Sequence, residues 1–172
     1  MAVTRISSEE RRAAVIDAAV KEFAADGFHG ASTTNIAKRA GISQPYIYAL
    51  FPNKHELFLA CHRHVVGRIR DTFTEAARGA KDPEDAMLRL GGAYLELLEN
   101  RDEILLQMQA HAAAGDPQLR EEVREVFIDL FNAVRGLTGA SHEQVVQLFS
   151  AGMMLNVVAA LELPDKFCPQ LG

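Results

Sequence analysis

Apolar residues recur along this chain at spacings of three and four, the period of one face of an α-helix. Ala14, Val15, Ala18, Ala19 and Phe23 form the first such stripe. Ser7 followed by Glu10 is a capping box that satisfies backbone N–H groups at a helix start, and Asp26-Gly27 supplies a left-handed stop. The pattern therefore predicts a helix between these signals. Thr33 is placed to cap a short second helix carrying Ile36, Ala37 and Ala40, ending at Gly41. Ser43 is placed to cap a third, with Ile47, Leu50 and Phe51 facing inward and Pro52 halting it. Asn53 with Glu56 forms another capping box, opening a long fourth helix through Leu57, Phe58, Cys61, Val65, Ile69 and Phe73 to about Arg78. Asp82-Pro83 and Asp116-Pro117 each combine a capping carboxylate with proline at the first helical position, and Ser141 with Gln144 opens the last helix. A sixth helix starts near Arg101, between the two Asp-Pro signals.

No segment alternates with period two, so the expected fold is all-α. Two short helices joined by a tight glycine turn are a helix-turn-helix, here residues 32–51. The chain divides on this reading into a three-helix DNA-binding domain, residues 1–54, and a helical effector-binding and dimerisation domain, residues 55–172.

Charge changes the picture only once it is located. The 172 residues carry a net charge of −5, which argues against a nucleic-acid partner if spread evenly. Residues 1–56 hold seven Lys/Arg against six Asp/Glu, and the remainder is six charges negative. One end is thus electrostatically open to phosphates while the body repels them. Hydrophobic residues at 48% and charged residues at 24% fit a folded globular protein. The start, with Arg5, Arg11 and Arg12, has no apolar core of a secretory signal behind it, and no unbroken apolar run reaches membrane-spanning length; Ala151 to Leu161 is short and contains Asn156. A cytoplasmic protein with no membrane partner is expected. Cys61 and Cys168 are far apart and form no CxxC pair, so neither a disulfide framework nor a metal site is expected, and both thiols are expected to be reduced.

The run from Thr33 through Ile36-Ala37 and Gly41 to Ser43, followed by Tyr46-Ile47-Tyr48-Ala49-Leu50-Phe51-Pro52-Asn53-Lys54, closely resembles the amino-terminal signature of the tetracycline-repressor (TetR) family. The helix from Ile16 to Phe28 fits the same pattern, and the match spans about a third of the chain. The residues support the same assignment without the family. The second helix of a helix-turn-helix presents its first turn to base edges in the major groove. Gln44, Pro45 and Tyr46 occupy that turn; glutamine pairs with adenine and proline offers an apolar surface to a thymine methyl. Thr33, Thr34, Ser43, Tyr48 and Lys54 supply groups suited to phosphate contacts. The resemblance implies that Tyr48 and Lys54 hold phosphates and that Gln44 and Tyr46 read bases. Gln44 and Pro45 depart from the small or basic residues common in the family, which implies fewer charged base contacts.

The resemblance also implies a small-molecule pocket in the middle helices, a homodimer through the last two long helices, and double-stranded operator DNA as partner. Ile104, Gln107, Met108 and His111 share one side of the sixth helix, while Tyr94 and Cys61 lie in apolar faces of the fifth and fourth. Tyr94, Gln107, Met108, His111 and Cys61 are the candidate effector-binding residues; no cofactor is implied. Val145, Leu148, Phe149, Met153 and Val157 cover more than one face of the last helix, which implies burial on two sides. The fourth helix, from Lys54 onward, is the expected lever through which an effector misplaces the recognition helices.

Two rival functions carry sequence features of their own. Cys61, His62 and His64 invite a metal or thiol-nucleophile reading, but residues two apart on a helix point to different sides, so no enzyme is expected. An architectural DNA-binding protein would use the same helix-turn-helix without repressing transcription.

Overall fold

The computed structural model describes residues 7–169, and Arg5 of the basic start lies outside them. Among the described residues there are eight α-helices and no strand: α1 (Ser8–Gly30), α2 (Thr33–Ala40), α3 (Gln44–Leu50), α4 (Lys54–Ala76), α5 (Pro83–Leu97), α6 (Arg101–Ala112), α7 (Pro117–Thr138) and α8 (His142–Leu161). The all-α expectation holds. The capping boxes at Ser7/Glu10 and Ser141/Gln144 are both fully formed, whereas at Asn53/Glu56 only half of the box is present, the Asn53 side chain accepting from the Glu56 N–H. Asp82 and Asp116 accept from backbone N–H groups ahead of their prolines.

Three local readings change. Ser32, not Thr33, caps α2, accepting from the Asn35 N–H, because the extended residue lies one position earlier. Ser43 stands at the cap of α3 but makes no side-chain capping bond. The first helix breaks at Gly27 as read, at φ 68° and ψ 179°, but helical turns resume beyond it to Gly30. Only glycine adopts that conformation readily.

Two apolar clusters fill the molecule. The first joins α1, α2, α3 and the front half of α4 with Leu106 and Ala110 of α6 and Leu119 and Val123 of α7, and Phe23, Ile36, Ile47, Phe51, Leu57 and Phe58 are almost fully buried in it. Phe58 meets Phe23 edge-on at 4.9 Å and Phe28 at 5.3 Å, geometry that favours aromatic pairs beyond their burial alone. The second gathers Ile69 and Phe73 from the back half of α4 with Leu90, Tyr94, Leu130 and Leu155. α6 has no clear polar face because α1, α4, α7 and α8 all pack against it.

α8 is the exception to burial. Its 20 residues have a mean hydropathy of 1.6 over the most apolar window, enough by length and composition to cross a membrane, although no unbroken apolar run of that length is present. Yet only 22% of that window is buried. Val146, Met153, Met154 and Leu161 are exposed there, as are Phe127 and Ile128 on α7. Glu143, Gln147 and Ser150 interrupt the apolar surface, and the helix packs on α5, α6 and α7.

Gly27 and Gly67 give opposite predictions. A Cβ at Gly27 would be held at positive φ and would lie 2.8 Å from Gln109 Oε1, whereas one at Gly67, inside α4, meets nothing. Gly27→Ala is expected to lower unfolding free energy by about 1–3 kcal/mol and Gly67→Ala to raise it by about 0.5–1 kcal/mol. Urea denaturation of both variants checks this; equal effects would contradict the backbone argument. Trimming Gln109 to Ala beside Gly27→Ala should restore little, since the cost lies in the dihedral angle.

Candidate DNA interface and effector cavity

The recognition element is held from behind, leaving its outer side free. Ile47 anchors α3 in the core at 1% exposure. The guanidinium of Arg12 donates to the Leu50 carbonyl at 2.9 Å and stacks 4.1 Å from the centre of the Phe51 ring. It therefore caps the carboxyl-terminal end of α3, where a cation offsets the helix dipole. Glu22, buried on α1, accepts from the Ser32 N–H at 3.3 Å and from Asn35 Nδ2 at 2.8 Å, with Arg39 at 3.7 Å. One buried carboxylate thus fixes the start of α2. Neither Arg12 nor Glu22 stood out in the sequence as more than a charge.

α2 meets α3 through hydroxyls. Thr33 is buried, and its Oγ1 accepts from Gln44 Nε2 at 2.8 Å and shares a hydrogen bond with the Tyr48 hydroxyl at 3.1 Å. These three sequence candidates are brought together, and Thr33 faces its neighbours rather than solvent. Thr34, Ser43, Pro45 and Tyr48 are exposed, and Tyr46 is half-buried with Arg11 5.9 Å from its ring centre. Lys54 donates to the His29 carbonyl at 3.2 Å and lies 5.2 Å from the Phe28 ring centre. In this arrangement it closes the end of α1, so a phosphate contact requires its flexible stem to swing outward.

A second site lies at the far end of α4. A cavity of about 80 Å³ opens between α4, α5, α6, α7 and α8. Ile69, Phe73, Leu130 and Leu155 supply apolar walls, and Phe127, Phe149 and Met153 stand on the outer side. Three of the sequence candidates, Tyr94, Gln107 and His111, line it. Two do not. Cys61 points into the amino-terminal core, fully buried, with its thiol against the Ile16 carbonyl at 3.8 Å. Burial and the nearby Asp17 charge push that thiol's pKa far up, which leaves it protonated and unreactive. Met108 turns to a different side of α6 from Gln107 and His111 and is not part of the wall.

His62 and Asn156 were missed. Asn156 accepts from the Tyr94 hydroxyl at 2.7 Å inside the fold. His62 is 3% exposed, lines the cavity, and its Nδ1 has no hydrogen-bond partner. Its neighbours on the wall, Val66, Ile69 and Phe73, follow at spacings of four, three and four, a stripe visible in the sequence. Burial, with lesser repulsion from His111 and Arg63, lowers the imidazole pKa to about 4, so the ring is neutral near pH 7. Among the described residues no group of His, Cys, Asp and Glu is arranged to hold a metal ion.

Residues 15–61 match the family described as bacterial regulatory proteins, tetR family. The chain is 23% identical over 123 residues to the fatty acid metabolism regulator protein of Bacillus subtilis, an alignment covering 72% of this chain and 63% of that one. It is 28% identical over 120 residues to the transcriptional activator FasR of Mycolicibacterium smegmatis, covering 70% and 55%. It thus spans less than two thirds of the length of these relatives. In three dimensions it resembles the fatty acid degradation regulator FadR of Bacillus halodurans, with a TM-score of 0.73 at 22% identity over 94% of this chain and 88% of that one. FadR of Bacillus subtilis in complex with stearoyl-CoA gives the same TM-score at 17% identity over 92% and 90%.

The buried imidazole makes stability depend on pH. His62 takes up a proton near pH 6.5 in the unfolded chain but only near pH 4 in the folded one, so the unfolded state binds more protons between those values. Stability is then fully present above about pH 6.5 and is lost as pH falls through 4. His111, also lowered by burial although partly exposed, acts in the same direction. His62→Leu removes the first contribution. The stability of this variant relative to wild type is expected to improve by about 2–3 kcal/mol between pH 7 and pH 4, measured by denaturant unfolding; a constant difference would contradict it.

Proposed function

We propose that this chain, whose residues 15–61 match the tetR family of bacterial regulatory proteins, is a TetR-family sequence-specific transcriptional regulator, a repressor released from operator DNA by a small molecule. Its relatives are regulators rather than enzymes. The observation that carries the DNA-binding reading is α3. It is anchored by Ile47 and Arg12 from behind, it lies within the matched segment, and Ser43, Pro45 and Tyr48 are left exposed for the major groove. Residues 1–54 bind the duplex and residues 55–172 bind effector and partner. The regulator works in the cytoplasm, where its operator is.

The exposed apolar surfaces of α7 and α8 support a homodimer. Phe127, Ile128, Val146, Met153 and Met154 are each more than a third exposed in the single chain, and apolar exposure of this extent marks an interaction surface. Two copies facing through these helices form a four-helix interface, and two-fold symmetry sets two recognition helices at a fixed spacing.

Two helices couple the sites. α4 carries His62, Val66, Ile69 and Phe73 into the cavity wall and Leu57 and Phe58 into the core behind the recognition helix. α6 carries Gln107 and His111 to the cavity and Gln109 against the Gly27 kink. At roughly 10–15 Å³ for each water-sized group, a cavity of about 80 Å³ admits only a small occupant without movement. A larger effector forces these helices apart and favours the dimer with misplaced recognition helices.

With an operator selected from random duplex DNA, Tyr46→Ala is expected to flatten discrimination at one or two base pairs by about 1–3 kcal/mol. Lys54→Ala should weaken binding to all sequences alike and reduce the salt slope by about 0.9. Fluorescence anisotropy at several salt concentrations measures both; a double variant that binds as wild type refutes the assignment. Ile128→Glu with Met154→Glu should yield a folded monomer by sedimentation, and a persisting dimer would place the interface elsewhere.

A further inference from the structure

The effector cavity holds no charged side chain. Its polar groups come from His62, Tyr94, Gln107, His111 and Asn156, and every other wall residue is apolar or glycine. The nearest arginines on α4 are engaged elsewhere: Arg63 pairs with Glu56 and Glu122, and Arg68 with Glu103. A carboxylate or phosphate buried in this cavity would meet no cation, and an ammonium would meet no carboxylate. Burying an unpaired charge costs far more than burying a neutral polar group.

The neutral polar groups are unequal. The Tyr94 hydroxyl donates to Asn156 Oδ1 at 2.7 Å, so these two groups already engage each other. His62 is as deeply buried, yet its Nδ1 lacks any partner. An unsatisfied buried nitrogen is a standing cost, recovered when a ligand supplies the missing bond. A hydroxyl suits either tautomer, since it both donates and accepts.

Resting on the effector-site reading above, we propose that the part of the effector held in this cavity is uncharged and mainly apolar, with one hydrogen-bonding group, such as a hydroxyl, paired to the His62 imidazole. The ring is the polar anchor, and the apolar wall accepts the rest. Selectivity then acts against charge as well as for shape.

Three probes with one skeleton test this on the full chain at pH 7 by calorimetry: 4-propylphenol, propylbenzene and 4-propylbenzoate. The phenol is expected to bind about tenfold more tightly than propylbenzene, the worth of one hydrogen bond, and about a hundredfold more tightly than the ionised benzoate. In His62→Leu the phenol's advantage over propylbenzene should vanish while propylbenzene still binds. His62→Gln, which restores a hydrogen-bonding group, should recover part of it. Benzoate binding as well as phenol, an unchanged ratio in His62→Leu, or failure of all three to bind wild type would each overturn the proposal. Operator release is scored separately by anisotropy: the expected ratios without release support the His62 pairing while overturning the switch.

Discussion

The structure depends on α4 being buried along two successive halves by two different cores. Leu57, Phe58 and Cys61 are fixed among α1, α2 and α3, while Ile69 and Phe73 are fixed among α5, α7 and α8. A helix of 23 residues held in both places cannot bend between them without breaking backbone hydrogen bonds, and close-packed interiors transmit displacement rather than absorb it. Its amino-terminal end is tied down further, by Phe28 against His55 at 4.6 Å and by His55 to Asp116 at 3.1 Å. The position of the recognition element and the shape of the cavity are therefore not independent variables.

Much of this was legible because it is local. Caps at Ser7, Asp82, Asp116 and Ser141 are decided by a few neighbouring residues, and the sequence states them unambiguously. The errors arise where two adjacent residues have the same chemistry or where a tertiary contact decides. Ser32 and Thr33 both carry a capping hydroxyl; the structure spends the threonine's on Gln44 and Tyr48 instead. The break at Gly27 is where the sequence puts it, but the helical turns that resume beyond it to Gly30 carry no start signal of their own.

The cavity was half legible for a similar reason. Helical spacing says which residues share a side, but not which neighbour that side meets. Cys61 and His62 are consecutive and both buried, yet one faces α1 and the other the cavity. Judged by residue type the cysteine drew attention; judged by the stripe of Val66, Ile69 and Phe73, the histidine belongs with the wall. Tyr94, Gln107 and His111 were found because each is a polar group on an otherwise apolar face, the pattern a small-molecule site requires. Glu22 and Arg12 escaped notice since a charged residue on a helix is ordinarily solvated, and only the fold shows the carboxylate buried at 4% exposure.

The apolar character of α8 acquires its meaning from the same comparison. A helix this hydrophobic and this little covered is an unfavourable state for an isolated chain in water, and it is this exposure that supports the proposed homodimer. The consequence reaches the cavity, because Phe127 and Met153 belong both to its outer wall and to the exposed surface. In the proposed dimer, a second copy packed over them would shield the cavity from solvent, lower the local dielectric, and strengthen the penalty for a charged occupant. On that proposal dimerisation and ligand selectivity draw on one set of side chains: the surface that would set the spacing of two recognition helices would also decide how dry the cavity is.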